Sequence, residues 1–276
     1  MNEPLPTSDQ PLQHARGEGP AEPLALSVRA VHKHFGGVVA LNDVTFDVSD
    51  GQIKAIIGPN GAGKTTLFNV VTGLVRATSG HVIIGGQQVN GHRPWEIAAL
   101  GVARTFQMLE LFENMTVLEN VMVGCHGWTK KGMLASALRL AGALEEERRI
   151  AERALEKLTL VGLADHAHLG AGELPFGQQR LVEIARALAA EPRLLLLDEP
   201  AGGLSTAESA ALAGLISRVR EAGTTVLLVE HDMALVMDIS DEVVVLDRGA
   251  KLAEGSPHQV QRDPQVIAAY LGAEQS

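Results

Sequence analysis

The stretch Gly58-Pro59-Asn60-Gly61-Ala62-Gly63-Lys64-Thr65 follows the spacing GxxxxGK[ST]. Each part of that spacing answers a need of a bound polyphosphate. Glycines let a loop turn its backbone N–H groups inward with no side chain in the way, and the concavity they make suits phosphate oxygens. Lys64 can reach the terminal phosphates, and the Thr65 hydroxyl can bind Mg²⁺. A helix beginning at this point adds roughly half a positive elementary charge at its N-terminus, and Thr66, the next residue, joins the phosphate-binding set.

A second chemical cluster lies far along the chain, where Leu194-Leu195-Leu196-Leu197 runs into Asp198-Glu199-Pro200. Two acids ending a buried strand stand where parallel α/β sheets bind their ligands. Successive strand residues point in different directions, so the acids can take separate tasks. Asp198 would hold Mg²⁺, directly or through water. Glu199 would orient the attacking water and accept its proton, because phosphoryl transfer depends mainly on positioning and charge stabilisation.

These groups need a scaffold. Ile53 to Ile57 is a short apolar strand leading into the glycine-rich turn, and Thr65 to Val75 has the pattern of a helix. Before them, Val44-Thr45-Phe46-Asp47-Val48 alternates as an antiparallel strand with one buried face. From about residue 92 to 180 strand signals are few, and helices are expected over Trp95–Thr105, Thr116–Val123 and Ala143–Leu160. That region is expected to form a helical lobe inserted in the core. Strands at Leu194–Leu197, Thr225–Val229 and Val243–Leu246, alternating with helices, predict a mostly parallel sheet. Residues 1–23 hold five prolines among polar and acidic residues, without the basic start and apolar stretch of a signal peptide; they are expected to be a disordered tail before a domain spanning 24–276.

Composition narrows the field. At 276 residues and 46% hydrophobic content the chain can build one large α/β core unaided. No apolar run approaches the roughly 20 residues that a membrane-spanning helix requires. A single cysteine, Cys125, rules out an internal disulfide and a thiolate cluster. A formal net charge of −10 opposes the electrostatic attraction behind most nonspecific nucleic-acid binding.

Many phosphate-binding folds share the first two clusters, and the order of three more elements decides among them. Gln107 lies in Arg104-Thr105-Phe106-Gln107, 43 residues past Lys64; Gly177-Gln178-Gln179-Arg180 precedes a helical stretch, with Gln178 lying 20 residues before Asp198; and His231 lies 32 residues after Glu199, at the end of the next strand. In this order the chain resembles the ATP-binding subunits of ABC transporters, from about Leu24 to Gly272. The resemblance implies a P-loop NTPase of the ABC ATPase fold, with a RecA-like core, an antiparallel β lobe and an inserted helical lobe. It implies ATP and Mg²⁺ as cofactors, with Gln107 joining Mg²⁺ and water to the membrane partner and His231 acting as the switch histidine. Gly177 and Gln178 would belong to the signature that covers ATP bound on a second subunit. Phe35 would stack on adenine, with His34 as the neighbouring candidate. Kinase and switch-GTPase readings leave the glutamine, signature and histidine unexplained.

Within the class, the chain is most similar to branched-chain amino acid importer ATPases, on Gly101 to Gln107, Met115-Thr116-Val117-Leu118-Glu119-Asn120, Gly177 to Arg180 and the ending Asp263 to Gly272. Lipopolysaccharide-export ATPases are the alternative. An ABC-type ATPase acting on nucleic acid or the ribosome is a more distant one, since tandem domains, a long coiled coil and basic extensions are all missing. The resemblance implies membrane permease subunits as partners, a second ATPase subunit that is a sister chain by preference or else a second copy of this one, indirectly a solute-binding protein, no nucleic acid, and a place on the inner face of the cell membrane. The signature departs from Leu-Ser-Gly-Gly-Gln, reading Leu174-Pro175-Phe176-Gly177-Gln178, and Ser205 stands where many relatives have aspartate. Proline offers neither a hydroxyl nor a backbone N–H to a phosphate.

Overall fold

The structure, a computed structural model, describes residues 23–125 and 141–273. Apart from Pro23, the stretch expected to be a disordered tail lies outside the described residues.

Strands β1 (Leu24–Phe35) and β2 (Val38–Ser49) pair antiparallel about a turn at Gly36-Gly37. β1 also pairs with β4 (Ser79–Ile84), which carries the short β5 (Gln87–Gln88), giving a four-stranded antiparallel sheet in the order β2-β1-β4-β5. The alternation read from Val44 to Val48 holds: Val44, Phe46 and Val48 are buried with Leu26 and Val28 in one cluster.

The second sheet has six strands in the order β10-β9-β3-β8-β7-β6, with β3 at Ile53–Ile57, β6 at Val102–Arg104, β7 at Leu194–Asp198, β8 at Thr225–Val229, β9 at Glu242–Asp247 and β10 at Ala250–Gly255. All pairs are parallel except the edge pair of β9 and β10. A parallel sheet is covered on both faces, which is why β7 is apolar from Leu194 to Leu197 and β8 from Val226 to Val229. Leu194, Leu196, Leu227 and Val229 face one cluster, together with Leu67 and Phe68 of helix α1 (Lys64–Val71). Leu195, Leu197, Val226 and Leu228 face the other.

That second cluster is continuous with the helical lobe. It takes in Val117 and Val121 of α3 (Val117–Gly124), Ala154 and Leu158 of α4 (Ala141–Leu160), and Val182, Ala185 and Leu188 of α5 (Phe176–Ala189). Close approach of α3 and α5 depends on Gly124, where a Cβ would lie 2.0 Å from the Arg186 carbonyl oxygen. Further on, α6 (Thr206–Glu221), α7 (Met233–Ile239), α8 (Pro257–Arg262) and α9 (Pro264–Ala273) complete the chain. No helix among the described residues is long and apolar enough to cross a membrane.

Two sequence expectations change. The helix after the glycine-rich turn ends at Val71 rather than Val75, because the Thr72 hydroxyl donates to the Phe68 carbonyl (2.7 Å) and Gly73 turns the chain with φ 73°. The helix expected over Trp95–Thr105 is a shorter helix α2 (Pro94–Ala99), a turn through Gly101 at φ 89°, and then strand β6. Three strand residues cannot announce themselves by periodicity; β6 exists because Val102, Ala103 and Arg104 pair with Leu194, Leu195 and Leu196. β10 was likewise not expected. It is an edge strand of mixed exposure with no apolar run.

Between β6 and α3 the chain is fastened by Asn120, which is fully buried. Its Oδ1 accepts from the Phe112 N–H (2.9 Å), and its Nδ2 donates to the carbonyls of Phe112 and Thr116 (both 3.0 Å). Replacing it removes three hydrogen bonds and leaves the part-buried Phe112 N–H without its partner, so Asn120→Ala should cost about 1–3 kcal/mol. The loss is read as a lower urea midpoint with an unchanged slope.

Candidate functional site

The glycine-rich loop sits between β3 and α1, with φ 151° at Gly58, 77° at Gly61 and 101° at Gly63. A Cβ on Gly58 would lie 2.1 Å from the Leu246 carbonyl oxygen, and one on Gly63 would lie 2.6 Å from that of Ala40. Two of the glycines therefore have no room for a side chain. The Ala40 contact also sets the hairpin of β1 and β2 against the loop, and Phe35, 49% exposed, stands at the end of β1 just before its turn. Lys64 is only 7% exposed, and its Nζ donates to the carbonyls of Gly58 (2.7 Å) and Pro59 (3.1 Å). Burial pushes its pKa down, against the pull of Glu199 and Asp198. Thr65 is exposed at the start of α1, where an incoming ligand can reach it.

Asp198 closes β7 and is 1% exposed. Its Oδ2 accepts from Arg104 Nη2 at 2.7 Å, and its own N–H donates to Thr105 Oγ1 at 3.3 Å. The other oxygen, Oδ1, is buried and has no hydrogen-bond partner. An orphaned buried carboxylate oxygen is costly. Coordination to Mg²⁺, or to one of its waters, would satisfy it, so the residues fit the metal. Burial pushes the carboxyl above the usual range, while Arg104 pulls it back.

Glu199 has φ 48°, a conformation that side chains rarely take. It is held there by its N–H donating to the Val229 carbonyl (2.8 Å). Gln107 Nε2 donates to Glu199 Oε2 at 3.0 Å, and His231 Nδ1 lies 3.9 Å from the same oxygen. His231 is 64% exposed and rides on a turn fixed by Glu230. That buried carboxylate accepts from the N–H groups of Ala201 (2.7 Å), His231 (2.8 Å) and Asp232 (3.0 Å).

Gln107 and His231 thus meet at Glu199, with Lys64 close enough to feel the charges of Glu199 and Asp198. Gly177 and Gln178 do not join them: they stand at the start of α5, where a Cβ on Gly177 would meet Glu208 at 2.4 Å. Phe176 packs its ring against Gly203, and Ser205 is the N-cap of α6, its Oγ accepting from the Glu208 N–H. Sequence reasoning missed Arg104, Glu230, Arg180 and Glu183. Arg180, 6% exposed, donates to the carbonyls of Phe106 (3.0 Å) and Gln107 (2.6 Å) and pairs with Glu183 (3.1 Å), which accepts the Phe106 N–H (3.0 Å). Helix α5 therefore grips the main chain on either side of Gln107. In the sequence Arg104 and Arg180 stand beside the glutamine and signature residues, and nothing local marks them as buried.

A parallel sheet whose carboxyl edge joins this loop to two carboxylates defines a P-loop ATPase. Residues 41–202 match the family described as ABC transporter, and residues 250–275 match that described as branched-chain amino acid ATP-binding cassette transporter. The chain is 45% identical over 248 residues to the high-affinity branched-chain amino acid transport ATP-binding protein BraF of Pseudomonas aeruginosa, covering 90% of this chain and 97% of that one. It is 43% identical to LivG of Escherichia coli, a protein of the same description, over 91% and 99% of the two chains. Among solved structures, a nucleotide-free ATP-binding cassette from an ABC transporter superposes with TM-score 0.79 at 32% identity, covering 90% of this chain and 98% of the other. The ADP conformation of such a cassette matches with the same TM-score at 33% identity, over 90% and 99% of the two chains. The chain belongs to the ABC transporter family and is an ATP-binding, ATP-hydrolysing subunit.

Lys64→Ala removes the cation lodged inside the loop. ATP affinity, read by titration with a fluorescent ATP analogue, should fall by roughly 100-fold, the scale of two charge-assisted hydrogen bonds.

Proposed function

We propose that this chain energises import of branched-chain amino acids or related small polar solutes from the cytoplasmic face of the cell membrane. The observation that carries the reading is the convergence of Gln107 and His231 on one oxygen of Glu199, beside a buried Asp198 with one bare oxygen. The match of residues 250–275 to the branched-chain family, and the names of the 43–45% identical relatives, support the solute class.

In this reading ATP lies along the loop from Gly58 to Thr66, with its adenine against Phe35. Lys64 leaves the carbonyls of Gly58 and Pro59 for the terminal phosphates. Thr65, Asp198 and Gln107 would hold Mg²⁺, which when bound would supply positive charge to the phosphate oxygens. Glu199 takes a proton from water as the water oxygen bonds to the γ-phosphorus and the bond to the bridging oxygen breaks, releasing ADP and phosphate. Gln107 and His231 keep the Glu199 carboxylate aimed.

The site is completed by a second ATPase subunit, a sister chain, whose signature covers this ATP while Gly177 and Gln178 cover the ATP of the sister. A structure described as the dimeric structure of a bacterial ABC transporter cassette, 27% identical with TM-score 0.72, supports the pairing of two such subunits. The permease subunits would engage a groove of about 570 Å³ beside Gln107, whose walls include Phe106, Leu111, Phe112, Val123 and Arg186. Binding of ATP does work on them only if it favours the closed dimer over the open one.

Glu199→Gln should retain ATP binding while phosphate release falls by at least about 100-fold, the scale of a lost general base. Gently solubilised membranes should yield this chain with two permeases and a sister ATPase, and a leucine-loaded binding protein should stimulate hydrolysis by the reconstituted complex. Stimulation by a lipopolysaccharide, with no response to amino acids, overturns the solute assignment.

A further inference from the structure

We infer that Arg104 is a positioning residue for the metal carboxylate, orienting Asp198 so that one oxygen stays committed to protein and the other stays available. The inference rests on the reading of Asp198 as a holder of Mg²⁺. Both side chains lie out of water, at 7% and 1% exposure, so the pair is unlike a surface ion pair, whose contribution is small. Both terminal nitrogens of the guanidinium are engaged, while Nε is buried without a hydrogen-bond partner: Nη2 donates to Asp198 Oδ2 (2.7 Å), and Nη1 donates to Asn69 Oδ1 (2.7 Å) and Thr72 Oγ1 (3.2 Å). Its carbon lies 5.4 Å from the ring centre of Phe68 and 5.1 Å from that of Phe106. A planar cation held by three acceptors and two rings has little freedom left.

Those contacts join three parts of the site. Asn69, Thr72 and Phe68 belong to α1 or its C-cap, the helix that begins with Lys64 and Thr65. Phe106 adjoins Gln107, and Asp198 ends β7. A single side chain therefore fixes the metal carboxylate relative to the phosphate loop and to the glutamine segment. With Oδ2 engaged by Arg104, Oδ1 is the oxygen left without a partner, and rotation of the carboxylate would break the 2.7 Å contact. Arg104 also lines the groove beside Gln107, so whatever occupies that groove meets the residue that holds Asp198.

The test is nucleotide binding, not turnover. With the full-length protein and a fluorescent ATP analogue, Mg²⁺ is titrated from a metal-free, EDTA-treated start, and melting temperatures are recorded in parallel. Arg104→Met should raise the Mg²⁺ concentration at half-effect by about 10-fold, the lower range for loss of a partner that orients a metal ligand. Metal-free affinity should be unchanged. Arg104→Lys keeps charge and bulk but cannot fork to three acceptors; it should shift the Mg²⁺ requirement in the same direction with its melting temperature preserved, which keeps the test valid if the methionine variant folds poorly. Asp198→Asn is the control. If it retains the full Mg²⁺ effect, the role given to Asp198 fails, and the inference with it. If Asp198→Asn loses that effect while both Arg104 variants titrate like the wild type, the role of Asp198 stands and that of Arg104 is overturned.

Discussion

A carboxylate has to stay charged in a place from which water is almost excluded, and much of the site follows from that requirement. Asp198 sits at the end of a fully buried strand, where desolvation works against its ionised form. Arg104 answers the charge from one side and leaves the other oxygen without a protein partner. The strained backbone at Glu199 follows from the same location: the chain must leave the sheet sharply so that the next carboxylate points toward Gln107 and His231. Glu230 then fixes both the turn after Glu199 and the turn bearing His231 through backbone N–H groups, and its Oε2 also lies 3.7 Å from His231 Nδ1.

Charge is also what fastens the helical lobe to the site. The buried pair of Arg180 and Glu183 on α5 takes up the polar main-chain groups of Phe106 and Gln107 that the end of the sheet leaves unpaired. Burial of Glu183 disfavours its charge, offset by the Phe106 N–H and Arg180. Beneath these contacts a single hydrophobic cluster runs from β7 and β8 into α3, α4 and α5. Lobe and sheet are therefore joined twice, once by packing and once by polar contacts at Gln107. Displacement of α5 or of the groove wall must then alter the hydrogen bond that Gln107 makes to Glu199, a physical route from the groove proposed for the permease to the carboxylate proposed to take the proton of water.

The two signature departures have a local account. Pro175 is the N-cap of α5, where an absent N–H costs nothing to the helix. Phe176 packs on Gly203 and lies beside Arg180 (5.5 Å from ring centre to guanidinium carbon), so the aromatic ring takes part in anchoring the same arginine that grips the glutamine segment. Ser205, in place of an acid, closes a capping box with Glu208.

By itself the sequence determined the phosphate loop, the paired acids, the strands β3, β7, β8 and β9, and the family. These are local: glycine backbone freedom, strand-to-turn order and buried apolar runs are set by residues close together in the chain. Tertiary structure decided β6 and β10, and with β6 the whole setting of Gln107. It also decided the partnerships of Arg104 with Asp198, 94 residues apart, and of Arg180 with Gln107, 73 residues apart. Arginine in a sequence gives no sign of whether it will be solvated or buried. That depends on which carboxylates and carbonyls the folded sheet and α5 bring within reach, at the point where water can no longer serve them.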